Sequence, residues 1–351
     1  MNHRPLRRTL LAAGLAAVAL AVAGCAQAGG GNGQAASGEP KELRIGYQLI
    51  PNGDLIVKDQ GWLEAALPNT KITWSKFDSG GDVNTAVAAG SIDIGLAGSS
   101  PVARGLAKPL SLPYQVPWIF DVIGDNEALV VRKDSGVTSL AGLAGKKVAT
   151  PFASTTHYSL LAALADAGVA ASTVTIIDLE PPDIQAAWTR GDIDAAYVWT
   201  PVLAEIQKTG TTLITSRQLA GKGKVTADLA VATTKFSTTY PKALQIWLQQ
   251  QDRAVKLVRS DKAAAAAAIA RQLNLDPAEA ARQLDQLVLL DAAEQRGADY
   301  LGTADKPGGL AENLHSAAEF LVGQGKLDEA PALATYQQGL NVAALGAAFP
   351  G

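Results

Sequence analysis

Cysteine is almost absent from this sequence: Cys25 is the only one in 351 residues, and histidine occurs three times. One cysteine excludes an internal disulfide framework. Only His157 and His315 fall beyond the first few residues, and neither an HExxH helix nor a His/Asp cluster accompanies them, so no metal site is expected. No GxSxG elbow presents a nucleophile, and neither a GxGxxG run nor a Walker lysine motif offers a nucleotide cradle. The chain therefore reads as a protein without a cofactor and not as an enzyme. An excess of one charge is missing too. Thirty Lys and Arg face 33 Asp and Glu, for a formal net charge of −3. With no basic field, a nucleic acid partner has nothing to hold it.

What is present is ordinary globular material, 48% hydrophobic and 18% charged, in a length that suits two modest domains. The N-terminus is the exception. Arg4, Arg7 and Arg8 precede an apolar run, "LLAAGLAAVALAVA" (10–23), which ends in Val22-Ala23-Gly24-Cys25, the form of a bacterial lipobox. Residues 1–25 are expected to be a lipoprotein signal peptide with lipidated Cys25 as the first mature residue. Residues 26–40, rich in Gly, Ala, Ser and Gln, are expected to be a flexible tether. The folded body then sits at the extracytoplasmic face of a cell membrane, lipid-anchored.

One phrase occurs twice. "AAGSIDIGLAGSSP" (88–101) and "TRGDIDAAYVWTP" (189–201) share a helix tail, Gly, Ile-Asp, a short apolar run and a polar-Pro pair. Strands are expected at 42–50, 72–77 and 92–97, and again at 146–151, 173–179 and 193–199, with helices between them at 56–67, 82–90, 157–168 and 184–191. This βαβαβ rhythm predicts an α/β fold of two lobes with parallel strands. Gly90 and Gly191 end their helices because C′ glycine takes the left-handed conformation freely. After residue 230 the pattern is helical: 241–260, 261–275, 276–287 and 308–327. Asp276, Pro277 and Glu279 have the spacing of a capping box. These helices are expected to pack on lobe one. Lobe one then comprises 41–129 and 229–351, and lobe two 130–228, with crossings near 127–134 and 227–235.

In open α/β sheets, ligands bind beyond the carboxyl ends of the strands. There, Ser154-Thr155-Thr156 and Ser99-Ser100 each precede a helix, with Pro101 expected at the first helical position. Free N–H groups and the helix dipole make such starts anion sites. Gly80 and Gly81 in "KFDSGGDVNTA" (76–86) allow close backbone approach. Trp188 and Trp199 flank the second copy of the phrase; Trp199 has the better cleft position, while Trp188 also suits a core. Tyr47 and Trp118 are further aromatic candidates. Asp228, in "VTADLAV", is an acid in an apolar crossing strand and needs a cationic partner, either a ligand ammonium or a buried Arg or Lys.

The stretches "KFDSGG" (76–81), "GSSP" (98–101), "EALVV" (127–131), "PFASTTHYSLLAAL" (151–164), "PPDIQAAWTRGDIDAAYVWTP" (181–201) and Asp228 in "ADLAV" resemble periplasmic taurine-binding proteins. These are solute receptors of ABC importers, within a wider family for sulfonates, nitrate and thiamine precursors. The resemblance implies a type II periplasmic-binding-protein fold that closes like a hinge, a monomer, and a permease and ATPase complex as partners. It implies that Ser99, Ser100, Thr155 and Thr156 donate to a sulfonate. Asp228 takes the ammonium, with Gln48 and the loop Asp78-Ser79-Gly80-Gly81 nearby. Trp188 and Trp199 cover the methylenes, and His157 starts a helix beside them. The stretch 108–126, "KPLSLPYQVPWIFDVIGDN", departs from the family's pattern and is a candidate for the cleft mouth.

Overall fold

The computed structural model describes residues 38–350. The expected signal peptide, Cys25 and nearly all of the expected tether lie outside the described residues. Among the described residues no helix is long and apolar enough to cross a membrane.

Ten strands follow one another along the chain. They are β1 (Glu42–Tyr47), β2 (Lys71–Lys76), β3 (Ile94–Gly98), β4 (Tyr114–Val122), β5 (Glu127–Arg132), β6 (Lys147–Thr150), β7 (Thr175–Asp178), β8 (Ala195–Trp199), β9 (Gly210–Thr215) and β10 (Ala227–Thr233). They form two five-stranded sheets, ordered β2-β1-β3-β10-β4 and β7-β6-β8-β5-β9. In each, three strands are parallel, as the βαβαβ rhythm requires, and the other two join antiparallel. The chain leaves the first sheet after Val122, enters the second at Glu127, and returns between Ala220 and Ala227. The fold is two α/β lobes of one design.

The repeated phrase has one structural job. Gly90 (φ 65°) and Gly191 (φ 79°) end the helices Gly80–Ala88 and Pro181–Arg190. Ile92 and Ile193 then turn into the core. Asp93 Oδ2 accepts from the Arg44 amide at 3.0 Å, and Asp194 Oδ2 accepts from the Lys147 amide at 2.8 Å. Each aspartate thus ties the start of its own strand to the neighbouring parallel strand.

Some expectations are corrected. The helix expected at 56–67 is broken at Gly61 (φ 61°) into Gly53–Gln60 and Trp62–Ala66. The two Ser/Thr clusters do not precede their helices but start them: the helices are Ser99–Leu106 and Thr155–Asp166, with Ser154 as the cap of the second. Pro101 is therefore the third helical residue. Asp276 caps its helix through the Ala278 amide, but Glu279 turns to Arg282 and Gln283, so the reciprocal half of the box is missing. The middle of the stretch 108–126 is β4, a sheet-edge strand whose Tyr114 and Trp118 are buried core.

The C-terminal helices cover lobe one. The amphipathic helix Pro241–Ser260 buries Trp247, which meets Phe120 edge-on at 5.9 Å. Truncating such a residue to Ala costs about 3–5 kcal/mol. Lobe two has a core on each face of its sheet, because side chains alternate along a strand. Leu129, Val131 and Tyr197 lie on one face; Ala128, Val130 and Trp188 lie with the other.

Candidate functional site

Where the two lobes meet they leave a small cavity of about 10 Å³. It lies where five parallel strands end: Gln48 follows β1, Gly80 follows β2, Gly98 ends β3, Ser154 follows β6 and Trp199 ends β8. The antiparallel strands β5 and β10 bring their amino ends to the same edge, and with them Glu127 and Asp228. Ile50, Pro101 and Thr155 complete the wall. Among the described residues, no lysine or arginine lines it.

Part of the cavity wall is built of helix starts. The helices Gly80–Ala88, Ser99–Leu106 and Thr155–Asp166 all begin there. First-turn N–H groups have no partner inside their own helix, and the dipole adds positive potential. Close approach depends on glycine. A Cβ on Gly98 would sit 2.5 Å from Thr155 Cγ2 of the other lobe, and one on Gly80 would sit 2.8 Å from Pro101 Cγ.

The same wall carries two acids: Asp228 pairs with Gly98, which caps one of these helices, and Glu127 meets Thr155, which starts another. Glu127 is 2% exposed and Asp228 is 7% exposed. Thr155 Oγ1 donates to Glu127 Oε1 at 2.5 Å, and Ser216 Oγ donates to Glu127 Oε2 at 3.3 Å. Burial, and then the nearby Asp228, push Glu127 up to about 8. Burial raises Asp228 as well. Neither acid meets a basic side chain among the described residues; the neighbour of Asp228 is another acid, Asp121. The buried Arg or Lys offered as one partner for Asp228 is thus not there.

The other expected residues are spread more widely. Gln48, Gly80, Thr155, Trp199 and Asp228 meet at the cavity. Gln48 Nε2 donates to the Leu96 carbonyl at 3.0 Å, which fixes its amide. Ser79 caps the helix behind Gly80, and Gly81 turns away from the cavity. Asp78 is a half-exposed surface group paired with Lys76 at 2.7 Å. Ser99 and Ser100 are buried beside the wall. The Ser99 hydroxyl accepts from the Ala227 amide at 3.2 Å, while the Ser100 hydroxyl has no partner among the described residues.

Three expectations need correction. The Thr155 hydroxyl, expected to serve an anion, is held by Glu127, because a buried carboxyl takes the nearest donor. Thr156 bonds Thr150 and Ser154 inside lobe two. Trp188 is nowhere near the cavity: its ring packs in the far core, donates to Thr209 at 2.8 Å and lies 5.7 Å from Arg132. His157 is the third residue of its helix, its ring stacks on Phe152 at 4.5 Å, and burial lowers it to about 4.

Sequence reasoning passed over Glu127, Ile50 and Asp121 as site residues. Glu127 carried a readable signal, an acid at the head of an apolar strand, the same signal that singled out Asp228. Asp121 sits inside the apolar run "PWIFDVI". Ile50 carried none.

Several known proteins are similar to this chain. The taurine-binding periplasmic protein of Escherichia coli (strain K12) is 39% identical over 206 residues, covering 54% of this chain and 63% of that protein. The chain thus matches less than two thirds of that relative's length. The putative aliphatic sulfonates-binding protein of Bacillus subtilis (strain 168) is 32% identical over 247 residues, 69% of this chain and 71% of that one. Among solved structures, the alkanesulfonate-binding protein from Xanthomonas axonopodis pv. citri, bound to MOPS, has the same fold. Its TM-score is 0.71 at 24% identity, over 85% of this chain and 98% of that chain. The model of the NMT1-like family matches residues 36–274, which takes in every strand of both sheets and the whole cavity wall; the chain belongs to the NMT1-like family.

Proposed function

We propose that this protein is the extracytoplasmic solute-binding component of an ABC importer and that its ligand is taurine or a close aminoalkyl sulfonate. One observation carries the reading: one small cavity joins helix starts that favour an anion to two buried acids that meet no protein cation among the described residues. A zwitterion with a sulfonate and an ammonium a few bonds apart satisfies both the helix starts and the acids. A plain anion leaves the acids facing it, at a cost that burial magnifies. Holding the sulfonate with N–H dipoles rather than a full positive charge lets the solute leave when the lobes part. In this assignment the first-turn amides of the helices at Ser99 and Thr155 bind the sulfonate. Asp228 and Glu127 take the ammonium, and Trp199 covers the methylenes. The sulfonate-binding names of the relatives support the ligand class. The permease and ATPase of the importer are its partners in this reading.

Calorimetric titration with taurine, ethanesulfonate and nitrate tests it. Taurine should bind most tightly. Equal or tighter binding of ethanesulfonate removes the ammonium from the recognition. Lipid attachment at Cys25 belongs to the same proposal, and Cys25→Ser should move the protein from the membrane fraction to the soluble one.

A further inference from the structure

The acids at the cationic end outnumber what one ammonium neutralises. Asp121 on β4 stands directly opposite Asp228 on β10 in antiparallel register. It has no exposed surface, and neither of its oxygens meets a conventional donor among the described residues. Asp228 lines the cavity and Asp121 does not, so Asp121 lies behind it. The ionisable groups acting on Asp121 from the elements packed against it are Asp228 of β10 and Glu127 of β5, both acids.

Cross-strand partners in an antiparallel pair project on the same face within reach of each other. Two carboxylates in contact, away from water and without a cation, do not both ionise; one proton between them satisfies both. We propose that Asp121 keeps its proton at neutral pH and donates it to Asp228, a positioning residue that fixes the Asp228 carboxylate as the one negative charge offered to the ligand's cationic group. Its burial and its two acidic neighbours hold Asp121 well above the usual carboxyl range; burial raises Asp228 too, and the hydrogen bond from Asp121 offsets part of that rise. Selectivity for a monocation follows, because the inner acid is already neutral. This inference rests on the zwitterion reading of the cavity and deepens it.

The test is taurine calorimetry on the full chain between about pH 5 and 9, with wild type, Asp121→Asn and Asp121→Ala. Asn supplies a donor that never ionises; Ala supplies none. The Asn variant should follow the wild-type profile within about threefold. The Ala variant should bind about tenfold more weakly at neutral pH and recover as pH rises, because Asp228 without its donor keeps its own proton longer. A loss in the Asn variant as large as that in Asp228→Asn overturns the proposal, since Asp121 would then supply charge to the ligand. An Ala variant with the wild-type pH profile overturns it as well. Infrared spectra of the ligand-free wild type and Asn variant, near about pH 8, give a readout independent of taurine and of the Ala variant's folding. One protonated-carboxyl band should vanish in the Asn variant, and its persistence overturns the proposal. If taurine fails to bind wild type, the cavity reading fails, while the infrared comparison still decides where the proton is.

Discussion

Ser79 Oγ donates to Glu180 Oε1 at 3.2 Å, across the gap between lobe one and lobe two. The bond joins the starts of the helices Gly80–Ala88 and Pro181–Arg190, and it exists only while the lobes are together. Burial first, then Asp82, Asp178 and Asp78, push Glu180 up to about 7 in this closed arrangement. When the lobes open, Glu180 becomes exposed and ionises near about 4.3, the ordinary value. The closed state therefore holds the proton more tightly, and closure loses support as pH rises through the interval between these values. Glu180→Gln, neutral throughout, should bind taurine a few-fold more tightly than wild type near about pH 8 and equally near about pH 4. Calorimetry at the two pH values checks this; weaker binding at both excludes the repulsion argument.

The two acids of the cavity should not be equivalent. Asp228→Asn is expected to weaken taurine by about tenfold or more, about 1.4 kcal/mol, and to strengthen ethanesulfonate, which no longer meets a buried charge. Glu127→Gln should cost taurine less, because Glu127 is raised to about 8 and is largely protonated at neutral pH. Paired titrations of both variants with both ligands measure the difference. If the two substitutions cost the same for taurine, Glu127 is ionised in the complex.

Trp199 and Trp188 separate binding from stability. Trp199→Ala removes a wall of the cavity and should weaken taurine by about tenfold. Trp188→Phe alters a core 5% exposed to solvent, and loses the bond to Thr209. It should lower the melting temperature, at a cost of about 1–3 kcal/mol, with little change in taurine affinity. Melting curves and titrations on both variants decide the assignment, and a reversed pattern would return Trp188 to the site.

Gly98→Ala probes closure itself. The added Cβ meets Thr155 Cγ2 at 2.5 Å, and Thr155 is held by its bond to Glu127 and by its branched side chain. The methyl keeps the lobes apart. Taurine affinity should fall by about tenfold or more while the melting temperature of the ligand-free protein stays near wild type. Small-angle scattering should show less compaction with ligand than wild type does. Full compaction would mean that Thr155 yields.

Much of this was legible from residues alone because it is local. The paired phrase with Gly90 and Gly191, and with Asp93 and Asp194, specifies a helix end, a strand start and a tie to the adjacent strand within short reach, so two copies mean two matching lobes. The Ser/Thr helix starts and Asp228 were readable for the same reason: each is a short-range break in a pattern. The helix starts themselves were misplaced by two residues, since serine and threonine serve both as caps and as first-turn residues.

What the tertiary structure alone decided is which of these residues face one another. Trp188 and Trp199 both flank the second phrase, yet Trp188 lies on the buried face of the helix Pro181–Arg190, which packs into a remote core of lobe two, while Trp199 ends β8 at the cavity. Asp121 and Asp228 are neighbours only because β4 and β10 pair antiparallel. Glu127 captures the Thr155 hydroxyl only because β5 starts where the helix of Thr155 begins. Local sequence sets propensity and caps; strand order and register, which depend on the burial of the whole chain, set the contacts that give the cavity its charge.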